Sequence, residues 1–138
     1  MENNTGLKLR VLVVDDQKLI REPIAEFLQG EGHTVDQADN GNEAWSLLLT
    51  QSYDYVVLDL QMPKMGGLDL LRLMRRLTPR PRTILVTGMK TEHVERMALT
   101  LGAAGCYEKP LSLDTLQRDL IWAPHLSGKQ TDPRPSTG

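Results

Sequence analysis

Four places in this chain carry polar residues that could act together: the acid pair Asp15-Asp16, the single Asp59, Thr87 and Lys109. Each closes a short stretch that reads as a strand. Arg10 to Val14 runs into Asp15-Asp16, Tyr55 to Leu58 into Asp59, Thr83 to Val86 into Thr87, and Cys106 to Glu108 into Lys109-Pro110. Short apolar runs bounded by turn signals are the pattern of strands buried on both faces. In open parallel sheets, reactive groups gather just beyond the carboxyl ends of such strands. Three carboxylates cannot stay ionised side by side without a counter-charge. A hard divalent cation supplies one, and Mg²⁺ takes a few carboxylate and carbonyl oxygens with water completing its octahedron. Lys109 adds a second positive charge. With both present, a phosphoryl group can approach Asp59 despite its own charge, so the carboxylate can attack phosphorus and form an acyl phosphate. Thr87 would offer its hydroxyl to a phosphoryl oxygen.

Each of these residues also has a plainer reading. An Asp pair after a strand is often a helix cap. A lone Asp or Thr at a strand end is commonly structural, and Lys-Pro is an ordinary loop dipeptide. What favours chemistry is the set: acid pair, acid, hydroxyl and lysine-proline, in that order, at four strand ends.

The elements that must position them follow from periodicity. Leu7 to Val14 reads as the first strand, followed by a helix in which Ile20, Ile24, Phe27 and Leu28 share a face until Gly30 and Gly32. Pro23 inside it costs about 3 kcal/mol, so the helix either starts late, near Arg21, or is kinked. Thr34 to Ala38 is a weaker, more polar strand suited to a sheet edge, and Asn40-Gly41 marks a turn. Ala44, Trp45, Leu47 and Leu48 give a second helix its apolar face, Tyr53 to Leu60 carry the central strand, and Pro63 to Gly67 form a loop. Leu68, Leu71, Met74 and Leu77 recur at helical spacing before Pro79 and Pro81. Val94, Ala98 and Leu101 define a helix ended by Gly102, and Ser112 caps one carrying Leu113, Leu116 and Leu120. Five alternating strands and helices predict a doubly wound α/β sandwich. Asp15, Asp16 and Asp59 converge if the first and third strands are neighbours, as in the flavodoxin-like order 2-1-3-4-5.

At 138 residues there is room for one ordinary domain. We expect residues 1–6 to be loose, 7–123 to form the domain and 124–138, rich in Pro, Ser and Gly, to be a disordered tail or the start of a linker. The net charge of -2 is interspersed, so no basic stripe points to direct nucleic-acid binding. Cys106 is the single cysteine, which excludes an internal disulfide and fits a reducing compartment. No apolar run approaches the roughly 20 residues of a membrane span, so a cytoplasmic protein is expected. His33, His93 and His125 do not group with the acids and read as surface residues. Trp122 either covers the core margin or offers a partner an anchor.

Taken together, the stretches Val13-Val14-Asp15-Asp16, Leu58 to Gly67, Val86-Thr87-Gly88 and Glu108-Lys109-Pro110 resemble the receiver domain of two-component response regulators, similar to the single-domain chemotaxis regulators. The resemblance runs from about Leu9 to Trp122. It implies that Asp59 accepts phosphate from a histidine kinase or phosphotransfer protein. It also implies that Asp16, Asp59 and the Gln61 carbonyl bind Mg²⁺, with Asp15 acting through water, and that Thr87 and Lys109 hold the phosphoryl oxygens. It implies a cis Lys109-Pro110 peptide and a switch read on the fourth helix, fifth strand and fifth helix by a downstream protein. The expected molecule is a monomer or a weak, phosphorylation-dependent dimer, and a switch rather than an enzyme on an outside substrate. The sequence departs from the family at Cys106, where an aromatic is usual. Tyr107 comes one residue later and, because strand side chains alternate, should face the other way. Two rivals stand beside this reading. A Mg²⁺-dependent phosphatase with an aspartate nucleophile usually carries a second acid two residues on, where this chain has Gln61. A scaffold that takes no phosphate is the other.

Overall fold

A computed structural model describes the backbone of residues 8–126 and side chains as far as Leu120. Its elements are β1 (Arg10–Val14), α1 (Lys18–Gly30), β2 (Thr34–Ala38), α2 (Gly41–Thr50), β3 (Tyr55–Asp59), α3 (Gly67–Met74), β4 (Arg82–Thr87), α4 (Glu92–Thr100), β5 (Gly105–Glu108) and α5 (Leu113–Leu126). The strands form one parallel sheet in the order β2-β1-β3-β4-β5, as expected. Val14 therefore lies level with Leu58, and Asp59 with Val86. All five residues of β3 are buried, which is why the central strand reads as an unbroken apolar run.

Alternation along the strands splits the core into two layers. Val11, Val13, Tyr55 and Val57 pack against Ile24 and Leu28 of α1 and Leu116 and Leu120 of α5. Leu12, Val14, Val56 and Leu58 pack against α2, α3 and α4 through residues such as Leu48, Leu71 and Ala98. Each fully buried Leu or Val adds on the order of 2 kcal/mol of transfer free energy.

Several boundaries differ from expectation. β1 starts at Arg10, because the Leu9 N–H is taken by Nδ1 of His33 at 3.1 Å rather than by a strand. α1 begins at Lys18 and not near Arg21, with Pro23 inside it. The hydrogen bond that Pro23 cannot donate would end at the Leu19 carbonyl, and both residues are exposed, so water can take its place. α3 ends at Met74, short of Leu77, which still packs on the core. α5 runs to Leu126, three residues past the expected domain end at 123. The expectations for residues 1–6, for the tail beyond Leu126 and for the Trp122 and His125 side chains lie outside what is described.

At the edge opposite the acids, α5 is fastened to the sheet by Asp119. Its Oδ2 accepts the Tyr55 hydroxyl at 2.6 Å, and its Oδ1 accepts Nη2 of Arg82 at 2.9 Å. Burial, then the Asp119 charge, push the Tyr55 phenol well above its ordinary pKa, so it stays a donor. Removing one partner of a buried pair strands the other charge. Asp119→Ala is expected to lose about 3 kcal/mol in urea unfolding, and Tyr55→Phe about 1 kcal/mol.

Candidate functional site

Asp59 is the last residue of β3, and its carboxylate is buried. Oδ1 lies 3.1 Å from Nζ of Lys109 and accepts the Gln61 N–H at 3.3 Å. Oδ2 is buried with no hydrogen-bond partner. Asp15, just past β1, is divided between two roles: Oδ2 lies 3.1 Å from Nζ of Lys109, and Oδ1 accepts the Gln17 N–H at 2.9 Å. The first contact joins Asp15 to the acid cluster, and the second closes a turn onto Gln17, the residue before α1, so Asp15 does not itself cap the helix. Asp16 is exposed. One carboxylate oxygen from each of Asp15, Asp16 and Asp59 lies within 4.8 Å of the others.

The cavity wall beside Asp15 and Asp59 is apolar, built from Val13, Ile20, Val57, Val86 and Leu111. Burial therefore raises the Asp59 pKa to about 6; the Lys109 hydrogen bond opposes this and the Asp15 charge adds to it. Burial alone would lower the Lys109 pKa, but its bonds to Asp59 and Asp15 outweigh burial and raise it, so the ammonium is retained. The cluster thus holds one cation against three carboxylates, with one buried oxygen unsatisfied. An all-oxygen set of this kind can hold a hard divalent metal ion.

Local structure explains how the groups are held. The Lys109 N–H donates to the Thr87 carbonyl at 2.7 Å, tying the ends of β4 and β5, and the Lys109–Pro110 peptide is cis. After β3 the chain turns back on itself. The Gly67 N–H donates to the Leu60 carbonyl at 2.9 Å, and a Cβ on Gly67 would overlap the Asp59 carbonyl and lie 2.8 Å from the Leu60 Cα. Only glycine fits there, a requirement the Gly66-Gly67 pair after a proline loop could have signalled.

Asp15, Asp59 and Lys109 are in direct contact, Asp16 completes the acid group, and Gln61 reaches Asp59 through its backbone N–H. Thr87 is fully buried, and its hydroxyl accepts the Met89 N–H at 3.2 Å instead of joining the acids. Cys106 packs in the layer of α2, α3 and α4. Tyr107 packs in the layer of α1 and α5, as alternation requires.

Comparison with known proteins agrees with this geometry. The profile of the response regulator receiver domain family matches residues 11–121. The transcriptional regulatory protein DltR of Streptococcus agalactiae is 35% identical over 108 residues, which are 78% of this chain and 48% of that protein. The response regulator MprA of Mycolicibacterium vanbaalenii is 37% identical over 111 residues, 80% of this chain and 48% of that one. The chain thus spans about half the length of these relatives. Among solved structures, the receiver domain of the Francisella response regulator 1452 superposes with a TM-score of 0.79 at 30% identity, covering 85% of this chain and 98% of that one. The chemotaxis protein CheY4 of Vibrio cholerae gives 0.79 at 26% identity, covering 85% and 99%.

The raised Asp59 pKa has a consequence for stability. In the unfolded chain this carboxyl has its ordinary pKa of 3.8, and in the folded chain burial raises it to about 6. The fold therefore carries no penalty from Asp59 below the lower value, loses stability as pH rises between the two, and bears the full cost above the upper. In metal-free buffer, Asp59→Asn is expected to be more stable than the wild type by on the order of 2 kcal/mol at pH 8. The gap should close by pH 4, as read by urea unfolding at the two pH values.

Proposed function

The chain belongs to the response regulator receiver domain family, and from that premise we propose that Asp59 accepts a phosphoryl group from the phosphohistidine of a kinase or phosphotransfer protein. The observation that carries this is the buried Asp59 Oδ2, which has no protein partner although Oδ1 has two. In the proposed transfer one Asp59 oxygen forms the O–P bond as the donor's P–N bond breaks, and the imidazole nitrogen keeps the electron pair. Lys109 already stands against Asp59 and would follow the charge onto the phosphoryl oxygens. The Thr87 hydroxyl would turn the proton it now donates to the Met89 carbonyl toward a phosphoryl oxygen.

Asp16, Asp59 and the Gln61 carbonyl would hold Mg²⁺, with Asp15 contributing through water. When bound, the metal neutralises carboxylate and phosphoryl charge. The ordinary bond between Asp15 Oδ1 and the Gln17 N–H suits a residue that acts at one remove. The domain would work as a switch on itself rather than as an enzyme with an outside substrate. Movement of Thr87 and the loop after it would favour one of two states of the α4, β5 and α5 surface, which a downstream protein would read. With Cys106 at the position usually taken by an aromatic, that shift would not include an aromatic turning inward. Among the described residues no helix is long and apolar enough to cross a membrane, and we place the domain in the cytoplasm, as a monomer or a weak phosphorylation-dependent dimer without direct contact to nucleic acid.

Incubation with a small phosphodonor, followed by intact-mass measurement, is expected to add one phosphoryl group only with Mg²⁺ and only when Asp59 is present. Asp59→Asn should stay unmodified. Should hydrolysis outrun detection, beryllofluoride is expected to bind under the same two requirements. An adduct that ignores metal or Asp59, or a wild type that takes neither phosphoryl nor mimic, would overturn the proposal.

A further inference from the structure

The loop from Leu60 to Gly66 carries Gln61, and its far side touches α2. A Cβ built on Gly41, the first residue of α2, would lie 2.6 Å from the Met65 carbonyl oxygen, 2.8 Å from its Cβ and 2.9 Å from its Cγ. The nearest of these atoms belongs to backbone, which cannot swing aside as a side-chain tip can. Gly41 is buried, so helix and loop meet here main chain to main chain.

Each side of this contact is tied to one arm of the acid cluster, the helix side more tightly. On the helix side, Asn40 caps α2, its Oδ1 accepting the Glu43 N–H at 2.8 Å, while Glu43 Oε1 accepts the Asp39 N–H at 3.0 Å. This reciprocal arrangement fixes the entry into the helix. One residue before Asp39, the Ala38 carbonyl accepts the Asp15 N–H at 3.1 Å. The start of α2 is thus tied to the Asp15-Asp16 arm of the acid cluster. On the loop side, Gly67 lies on the backbone of Asp59 and Leu60, and Gln61 donates to Asp59. The Gly41–Met65 contact is therefore the point at which the arm bearing Asp15 and Asp16 meets the arm bearing Asp59 and Gln61, on the side away from Lys109.

We propose that Gly41 is a positioning residue for the metal site: its missing side chain lets α2 seat the loop after β3 and so sets the spacing of Asp16, Asp59 and the Gln61 carbonyl. This deepens the Mg²⁺-dependent reading and rests on it. A side chain at position 41 would push the loop outward, since α2 is held by its cap, and carry Gln61 away from the acids. Groups that orient metal ligands from outside change affinity by about 10-fold or more when altered.

The test is a calorimetric titration of the whole chain with Mg²⁺ alone, on the wild type, Gly41→Ala and Gly30→Ala. Gly30 has nothing within 4 Å of its would-be Cβ, so its variant controls for the effect of glycine replacement itself. We expect Gly41→Ala to bind Mg²⁺ about 10-fold more weakly at a temperature where its far-UV spectrum is that of the wild type, and Gly30→Ala to bind as the wild type does. A purely structural role would lower the melting temperature of Gly41→Ala and leave the affinity of the folded protein unchanged, and that result would overturn the proposal. If Gly41→Ala does not fold, Met65→Gly decides, because it removes the Cβ and Cγ that rest on Gly41 without crowding the seat: weaker Mg²⁺ binding is expected, and unchanged binding overturns the proposal. A wild type that binds no Mg²⁺ would instead remove the reading on which the proposal rests, and the proposal with it.

Discussion

Three carboxylates and one ammonium share a rim whose inner wall is apolar, and the rest of the structure follows from that imbalance. Lys109 stands 3.1 Å from both Asp15 and Asp59, yet burial still holds the Asp59 pKa at about 6. A single fixed cation therefore leaves negative charge over, and the oxygen that bears it most directly, Asp59 Oδ2, is enclosed without a donor. Such a group is costly in the resting fold. It is also poised for anything that brings positive charge, or that turns the carboxylate into an ester-like linkage.

The fold keeps this arrangement in place by making the strand ends converge. Parallel pairing brings Asp15 and Asp59 to one edge from the neighbours β1 and β3, and Lys109 approaches from beyond β5. Val13, Val57 and Val86 line the cavity beneath them, so the wall on that side offers no polar group to screen the charges. The other edge is secured by a different buried charge, Asp119, which draws Tyr55 and Arg82 onto α5. One strand, β3, thus carries Tyr55 at its start and Asp59 at its end, with a polar anchor at one and a buried, half-paired carboxylate at the other. The loop leaving Asp59 is pinned twice by glycine, at Gly67 on its own strand and at Gly41 on α2.

Much of this was legible in the residues. Short strand-like runs ending in Asp15-Asp16, Asp59, Thr87 and Lys109 disclosed the strands and their polar ends, and the alternation of strand and helix disclosed the sheet. The weak polar run Thr34 to Ala38 does form an edge strand. What stayed hidden depends on distance along the chain. Tyr55 and Asp119 are 64 residues apart, and a tyrosine in an apolar run gives no sign of its partner. Gly41 reads as a turn residue until its contact with Met65 is seen. The start of α1 stayed open between two places because local propensity weighs Pro23 by its cost, whereas an exposed helix face lets solvent absorb it. Thr87 ends its strand as its place in the chain suggests, but its own loop satisfies the hydroxyl, with the Met89 N–H as donor and the Met89 carbonyl as acceptor.

The most direct measurement is an NMR pH titration of the Asp59 carboxyl carbon, with and without Mg²⁺. Without metal the midpoint should fall at about 6; with saturating Mg²⁺ it should drop into or below the ordinary carboxylate range, because the added charge favours the ionised form. A midpoint already at the ordinary value, or one that Mg²⁺ does not move, would contradict an uncompensated buried carboxylate at the centre of this site.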